Sequence, residues 1–125
     1  MRLEDAKTLL RGGRYEGCYY LSGYVVECGL KACIAKLTNR YDFPKKNLQN
    51  AYTHKLTELL KIARLEQEIA AEINRSREFS LNWEVVKDWK EQSRYELPTE
   101  HEAKDVFRAV SAGGDGVLRW IKQHW

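Results

Sequence analysis

The stretch Tyr15–Leu37, YEGCYYLSGYVVECGLKACIAKL, limits what this chain can fold into more than any other. It is the longest apolar run and holds all three cysteines. Tyr15, Tyr19, Ser22, Val26, Gly29, Cys33 and Leu37 recur every three to four residues, which is one stripe of an α-helix. A second stripe runs through Cys18, Leu21, Val25, Cys28, Ala32 and Ala35. Two stripes predict a helix with two contact surfaces, where an ordinary surface helix has one. At ~1.5 Å per residue such a helix is roughly 35 Å long, enough to cross a small domain. Charge is confined to Glu16, Glu27, Lys31 and Lys36. Glu27 lies between the stripes and needs a partner if buried. Lys31, four residues on, is the nearest candidate. The glycines lower helix propensity, which predicts close approach by a neighbouring element. Two readings stand side by side: a core helix of a monomeric bundle, and a helix shared between a core and a dimer interface.

A bilayer needs about 20 apolar residues, and the longest charge-free run here, Gly17 to Val26, is far shorter. No membrane span is expected. The chain of 125 residues suits a single domain, 1–125. With 43% hydrophobic and 31% charged residues it is globular, not disordered. A net charge of +3 is too small to imply nucleic acid by itself. The N-terminus, MRLEDAKTLL, has no apolar secretion core. Three cysteines with no CxxC suggest buried free thiols in a reducing compartment. The expected location is therefore the cytoplasm. Neither a zinc site nor a cofactor is expected, because histidines are absent near the cysteines and no glycine-rich phosphate loop follows a strand.

The rest of the chain reads as helix. Residues 2–11 make a short first helix ended by Gly12 and Gly13. Asn39 and Arg40 close the central one. A polar loop, 41–52, carries Lys45 and Lys46, which either touch phosphate or are simply solvated. Thr53 can cap the next helix, with Leu56, Leu59, Leu60 and Ala63 inside and His54 in its first turn. Stripes through Leu65, Ile69 and Ile73 and through Phe79, Trp83, Val86 and Trp89 follow. Thr99 and Glu102 form a capping box for the last helix, expected to continue across Gly113, Gly114 and Gly116 to Trp120. The fold class is all-α, a bundle of about five helices.

Among titratable groups, one pair has a chemical rationale. Arg94 ends one helical segment and His101 begins the next, with six residues between them. His101 falls at the second helical position, where free backbone N–H groups favour a phosphate. An imidazole there can take a proton from a ribose 2′-hydroxyl while Arg94 holds the phosphate bidentately. Metal-free RNA cleavage by internal attack needs that combination. Glu96, Glu100 and Glu102 crowd the same turn and repel an anion unless they point away. Tyr95 either assists or packs. His54, at a helix start, either binds an anion, makes a structural hydrogen bond or is simply exposed.

The run LLRGGRYEGCYYLSGYVVECGLKACI resembles the hallmark stretch of HEPN domains. Gly13-Arg14-Tyr15 and Glu27-Cys28-Gly29-Leu30-Lys31 carry the match, supported by Thr53-His54-Lys55-Leu56, Trp89 and Arg94-Tyr95. The resemblance covers essentially the whole chain. It implies a compact up-and-down helical bundle, usually a homodimer. Many members are metal-independent ribonucleases with an arginine, four to six residues, then a histidine, in a cleft formed across the dimer. Some are toxins paired with a minimal nucleotidyltransferase, and others lack the motif and serve as binding or scaffold modules. Carried onto this chain, the motif is Arg94 and His101, with RNA or a nucleotide as ligand; Tyr95 and His54, by their own positions, are further phosphate- or nucleotide-binding candidates. One toxin subgroup has a tyrosine where this chain has Ala103, so modification at such a tyrosine is not implied.

Overall fold

The computed structural model describes residues 3–41, 53–90 and 97–125, with the side chains of 39–41 left aside. Seven helices and no strand occur among the described residues: α1 (Leu3–Arg11), α2 (Tyr15–Tyr41), α3 (Leu56–Ile62), α4 (Glu66–Arg75), α5 (Arg77–Lys87), α6 (Glu100–Ser111) and α7 (Val117–Lys122). The all-α expectation holds. The helix number exceeds the expected five because two turns, at Arg64 and at 112–116, cut longer stripes.

α2 is the axis of the bundle, in contact with α1, α3, α6 and α7. Its first stripe faces inward: Ser22, Val26, Gly29 and Cys33 are buried. Val26, Leu30 and Ile34 meet Leu56 and Leu59 of α3, Phe79 and Val86 of α5, Val110 of α6, and Val117 and Ile121 of α7 in one core. A smaller cluster, Ala6, Cys18 and Ala103, joins α1, α2 and α6. Burial of the Val, Leu, Ile and Phe side chains contributes roughly 1.5–3 kcal/mol each.

The second stripe is covered only in part within the single chain. Cys18 and Val25 are buried, Leu21 is half-buried, but Cys28, Ala32 and Ala35 are exposed. The physical reason is the helical period. Cys18 and Val25 flank the buried face, whereas Cys28 and Ala35 fall on the side opposite Val26 and Cys33. Cys28 is accordingly an exposed thiol in the single chain, where the sequence suggested a buried one. Cys18 and Cys33 are buried free thiols, and burial pushes both up from the ordinary thiol range.

Two glycines of α2 are there because neighbours come close, as the sequence suggested. A Cβ at Gly29 would stand 2.9 Å from a methyl of Ile121, so α7 lies directly on the helix. At Gly23 it would stand 2.0 Å from the Trp89 ring.

The turns also depart from expectation in places. Gly13 closes α1 in a left-handed conformation, φ 76°. Lys55, not Thr53, is the cap residue of α3; the Thr53 hydroxyl takes the Lys55 N–H instead. Arg64, at φ 60°, separates α3 from α4. The last helix does not continue to Trp120 but stops at Ser111 and resumes at Val117. The intervening turn is clamped to α5. Ser76, which caps α5, donates to Asp115 Oδ1 at 2.9 Å, and Asn82 donates to the Asp115 carbonyl at 2.9 Å. Apolar periodicity survives the break because α6 and α7 both face the same core.

Candidate functional site

His101 occupies the second position of α6, as the sequence predicts. The start of that helix is well defined. The Glu102 N–H donates to Thr99 Oγ1 at 3.1 Å, and the Thr99 N–H donates to Glu102 Oε1 at 3.2 Å. These two bonds satisfy two donors the helix leaves open and turn the Glu102 carboxylate back onto the cap. One acid that crowds the turn is thereby occupied. Thr99→Ala is expected to cost about 1 kcal/mol, read as a lower urea midpoint with an unchanged slope. An unchanged midpoint would show that the cap carries no stability.

The His101 side chain is 86% exposed, and its Nε2 lies 3.4 Å from Asp105 Oδ2, one turn along α6. That contact becomes an ion pair when the imidazole is protonated. Glu100 pairs with Lys104 at 3.0 Å. Lys104, with the hydroxyl of Tyr15 adding to it, holds the Glu100 carboxyl below the usual carboxylate range. Through Tyr15, the Gly13-Arg14-Tyr15 turn meets the start of α6. An open groove of about 520 Å3 lies there, lined by Leu9, Arg14, Tyr15, Glu16, Leu97 and Pro98. Leu97 is 66% exposed.

Arg94 and Tyr95 lie outside the described residues. What the structure describes is the chain on either side of them. Before them, Trp89 is buried against α2, its Nε1 donating to the Tyr19 carbonyl at 3.1 Å. After them, Leu97 and Pro98 lead into the Thr99 cap.

His54 belongs to a different part of the molecule. It precedes the α3 cap residue, and its Nδ1 sits 3.0 Å from Glu27 Oε1. Glu27 is 1% exposed, and its other oxygen takes Lys31 Nζ at 3.1 Å. The buried carboxylate thus has two partners, of which the sequence suggested only Lys31. This pairing ties α2 to the segment entering α3. Tyr15 and Glu27 are separated by about 18 Å of helix, so His54 and His101 belong to different ends of α2. The Lys45 and Lys46 of the polar loop are outside the described residues.

Sequence reasoning missed Tyr15, Asp105 and the Trp89 seat as neighbours of this region. Asp105 had a signal, since it is four residues from His101 on one helix face. The Tyr15–Glu100 contact had none, because 85 residues separate the two.

Among the described residues, no group of three histidines, cysteines or acids is placed to hold a metal ion, and no helix is long and apolar enough to cross a membrane.

An all-α bundle organised on the Tyr15–Tyr41 helix, with a histidine at the start of a late helix, is the architecture expected of a HEPN domain. A family model described as HEPN domain matches residues 1–123, and the chain belongs to that family. No curated protein and no solved structure matches it.

Proposed function

We propose that this HEPN domain acts in the cytoplasm as a toxin–antitoxin or defence-type protein, cleaving RNA without a metal through Arg94 and His101. The observation that carries the reading is the placement of His101. It projects from the first turn of α6 with 86% of its side chain exposed, where a polymer can reach it. In this reaction an imidazole nitrogen of His101 takes the proton of a ribose 2′-hydroxyl. The oxygen attacks the neighbouring phosphorus, and the bond to the 5′-oxygen breaks. That oxygen leaves with a proton from water or a second acid. The products are a 2′,3′-cyclic phosphate and a 5′-hydroxyl. Arg94 binds the phosphate and balances the charge that develops. Tyr95 and His54 are further candidates for contact with RNA.

A homodimer belongs to the proposal, with the cleft shared between protomers. Its support is the outward face of α2, where Cys28, Ala32 and Ala35 are exposed and uncharged. The test uses one preparation. Incubated with single-stranded RNA in excess EDTA, the protein should yield fragments ending in cyclic phosphate, and its solution mass should be that of two chains. Intact RNA across a panel of sequences, with harmless expression, would overturn the ribonuclease. A mass of one chain at high micromolar concentration would overturn the shared cleft.

A second reading has its own support. Glu100, Glu102 and Asp105 surround His101 on the first turns of α6 and oppose a polyanion. In that reading the domain is a non-catalytic module that pairs with a minimal nucleotidyltransferase or binds a nucleotide. Co-purification of such a transferase with an RNA-inactive protein would favour it.

A further inference from the structure

Charge is spread unevenly over this chain. Residues 28–38, in α2, and 116–125, which hold α7, carry Lys31, Lys36, Arg119 and Lys122 and no acid. The two segments pack on each other at Gly29. A Cβ there would stand 2.9 Å from a methyl of Ile121 and 3.5 Å from the benzo edge of Trp125. Two of the four cations are engaged, Lys31 by Glu27 and Arg119 by the Gly113 carbonyl. Lys36 and Lys122 are exposed and make no ion pair among the described residues. The acids Glu68 and Glu72 gather elsewhere, in a hollow lined by Trp120 and His124 and not by Trp125.

Trp125 rests one edge on α2 and leaves 46% of the residue exposed. Lys122 Nζ stands over its ring, 5.8 Å from the centroid. That is close to the ~6 Å limit of cation–π attraction, so the ring holds the ammonium only weakly. Lys36 follows Gly29 by seven residues, two turns along the same side of α2 and roughly 10 Å further on. An exposed indole is thus bordered by lysines from two helices. Aromatic rings for bases with cations for phosphates are what a single nucleic-acid strand needs. A second copy of the chain fits this surface poorly, because isologous contact would bring like charges together. Cys28 and Ala35, offered above to a sister protomer, lie about 100° round the helix.

The surface also faces the same way as the start of α6. Cys18 clusters with Ala103 of α6, and Gly29 follows Cys18 by eleven residues. Eleven residues are three turns, so both contacts fall on one side of α2, roughly 16 Å apart. At the α6 start, Glu100, Glu102 and Asp105 oppose a polyanion. Attraction for one has to come from elsewhere, and Lys36 and Lys122 supply it.

We infer that Trp125, Lys122 and Lys36 form a binding surface for single-stranded nucleic acid, with a base stacked on the indole and phosphates on the two lysines. That the strand is the RNA cut at His101 rests on the ribonuclease reading; the surface itself does not.

The experiment measures binding of a fluorescent 2′-O-methyl oligoribonucleotide of about 12 nucleotides, within the usual site size. It has no free 2′-hydroxyl, so binding is read apart from cleavage. Anisotropy is followed across a salt series for wild type, Trp125→Ala, Trp125→Phe, Lys36→Gln and Lys122→Gln. Trp125→Ala should weaken binding about tenfold, and Trp125→Phe, which keeps a ring, less than about threefold. Each lysine variant should lower the slope of log Kd against log salt by about 0.7, the share of one phosphate contact on a single strand. Both lysines are exposed, so these two variants keep the test available if Trp125→Ala does not fold. No binding by wild type, wild-type affinity in folded Trp125→Ala, or an unchanged slope in both lysine variants overturns the surface. Displacement by polyglutamate as readily as by unlabelled strand overturns nucleic acid as its ligand. Unmodified RNA is then tested for cleavage by wild type. Binding with the expected losses but no cleavage upholds the surface and fails the ribonuclease reading. Cleavage with unaltered binding in every variant does the reverse.

Discussion

Replacing His101 with alanine is expected to abolish RNA cleavage while leaving the fold unchanged. Two quantities decide the size of each effect. A positioned general acid or base contributes typically about 10²- to 10⁴-fold to rate, so the residual activity should fall below about one per cent. The stability cost should stay within about 0.5 kcal/mol, the usual range for an exposed substitution that makes no packing contact. The side chain is 86% exposed, and its described contact is Asp105 on its own helix. The α6 start does not depend on it, since Thr99 and Glu102 cap the helix between themselves. A single-turnover cleavage assay and a thermal melt on the same sample check both halves. A fully active His101→Ala protein would remove His101 from the chemistry. A protein that loses activity together with several degrees of melting temperature would leave the role unassigned to the imidazole. His101→Gln, similar in reach and polar, should remain inactive, because an amide cannot exchange the proton.

Replacing Glu27 with alanine is expected to destabilise the fold by about 2–3 kcal/mol, combining lost side-chain packing with lost charge-assisted hydrogen bonds. Glu27 is among the fully buried side chains of the molecule, and both its oxygens are taken. The cost should fall short of the 3–5 kcal/mol typical of breaking an enclosed ion pair. Lys31 and His54 have 34% and 48% of their side chains exposed, so both stay hydrated when the carboxylate is gone. For a domain of this size the loss should lower the melting temperature by roughly 10 °C. Glu27→Gln keeps the volume and one hydrogen-bonding oxygen, so its cost should be about half. Equal melting temperatures for Glu27→Ala and wild type would show that the carboxylate tie between α2 and the segment entering α3 adds no stability. The two predictions separate the ends of the molecule: His101 bears on activity without stability, Glu27 on stability.

Much of this was legible in the residues. The α6 start was readable in full, because a capping box is a local interaction spanning four residues. The inward stripe of α2 was readable because a 3.6-residue period needs no knowledge of the partner. Gly23 and Gly29 announced close neighbours without naming them, and the names, Trp89 and Ile121, come from elements 66 and 92 residues away. The outward stripe was harder to read for a related reason. Cys28, Ala32 and Ala35 are small and apolar, and a small apolar side chain carries little information about whether it is covered. The break at Gly113–Gly116 was underestimated because α6 and α7 share one core, so apolar spacing persists through a turn clamped by Asp115.

The site divides in the same way. The sequence alone determined the helical class, the family, the position of His101 within its helix, and the need of Glu27 for a partner. All depend on spacing along the chain, which the residues state outright. Only the tertiary structure decided that His54 is that second partner, that Tyr15 contacts the start of α6, and that Trp89 sits in the gap left by Gly23. Each is a contact between residues far apart in sequence. Such contacts are chosen by how helices cross and which side chains leave room, and one-dimensional periodicity does not encode that choice.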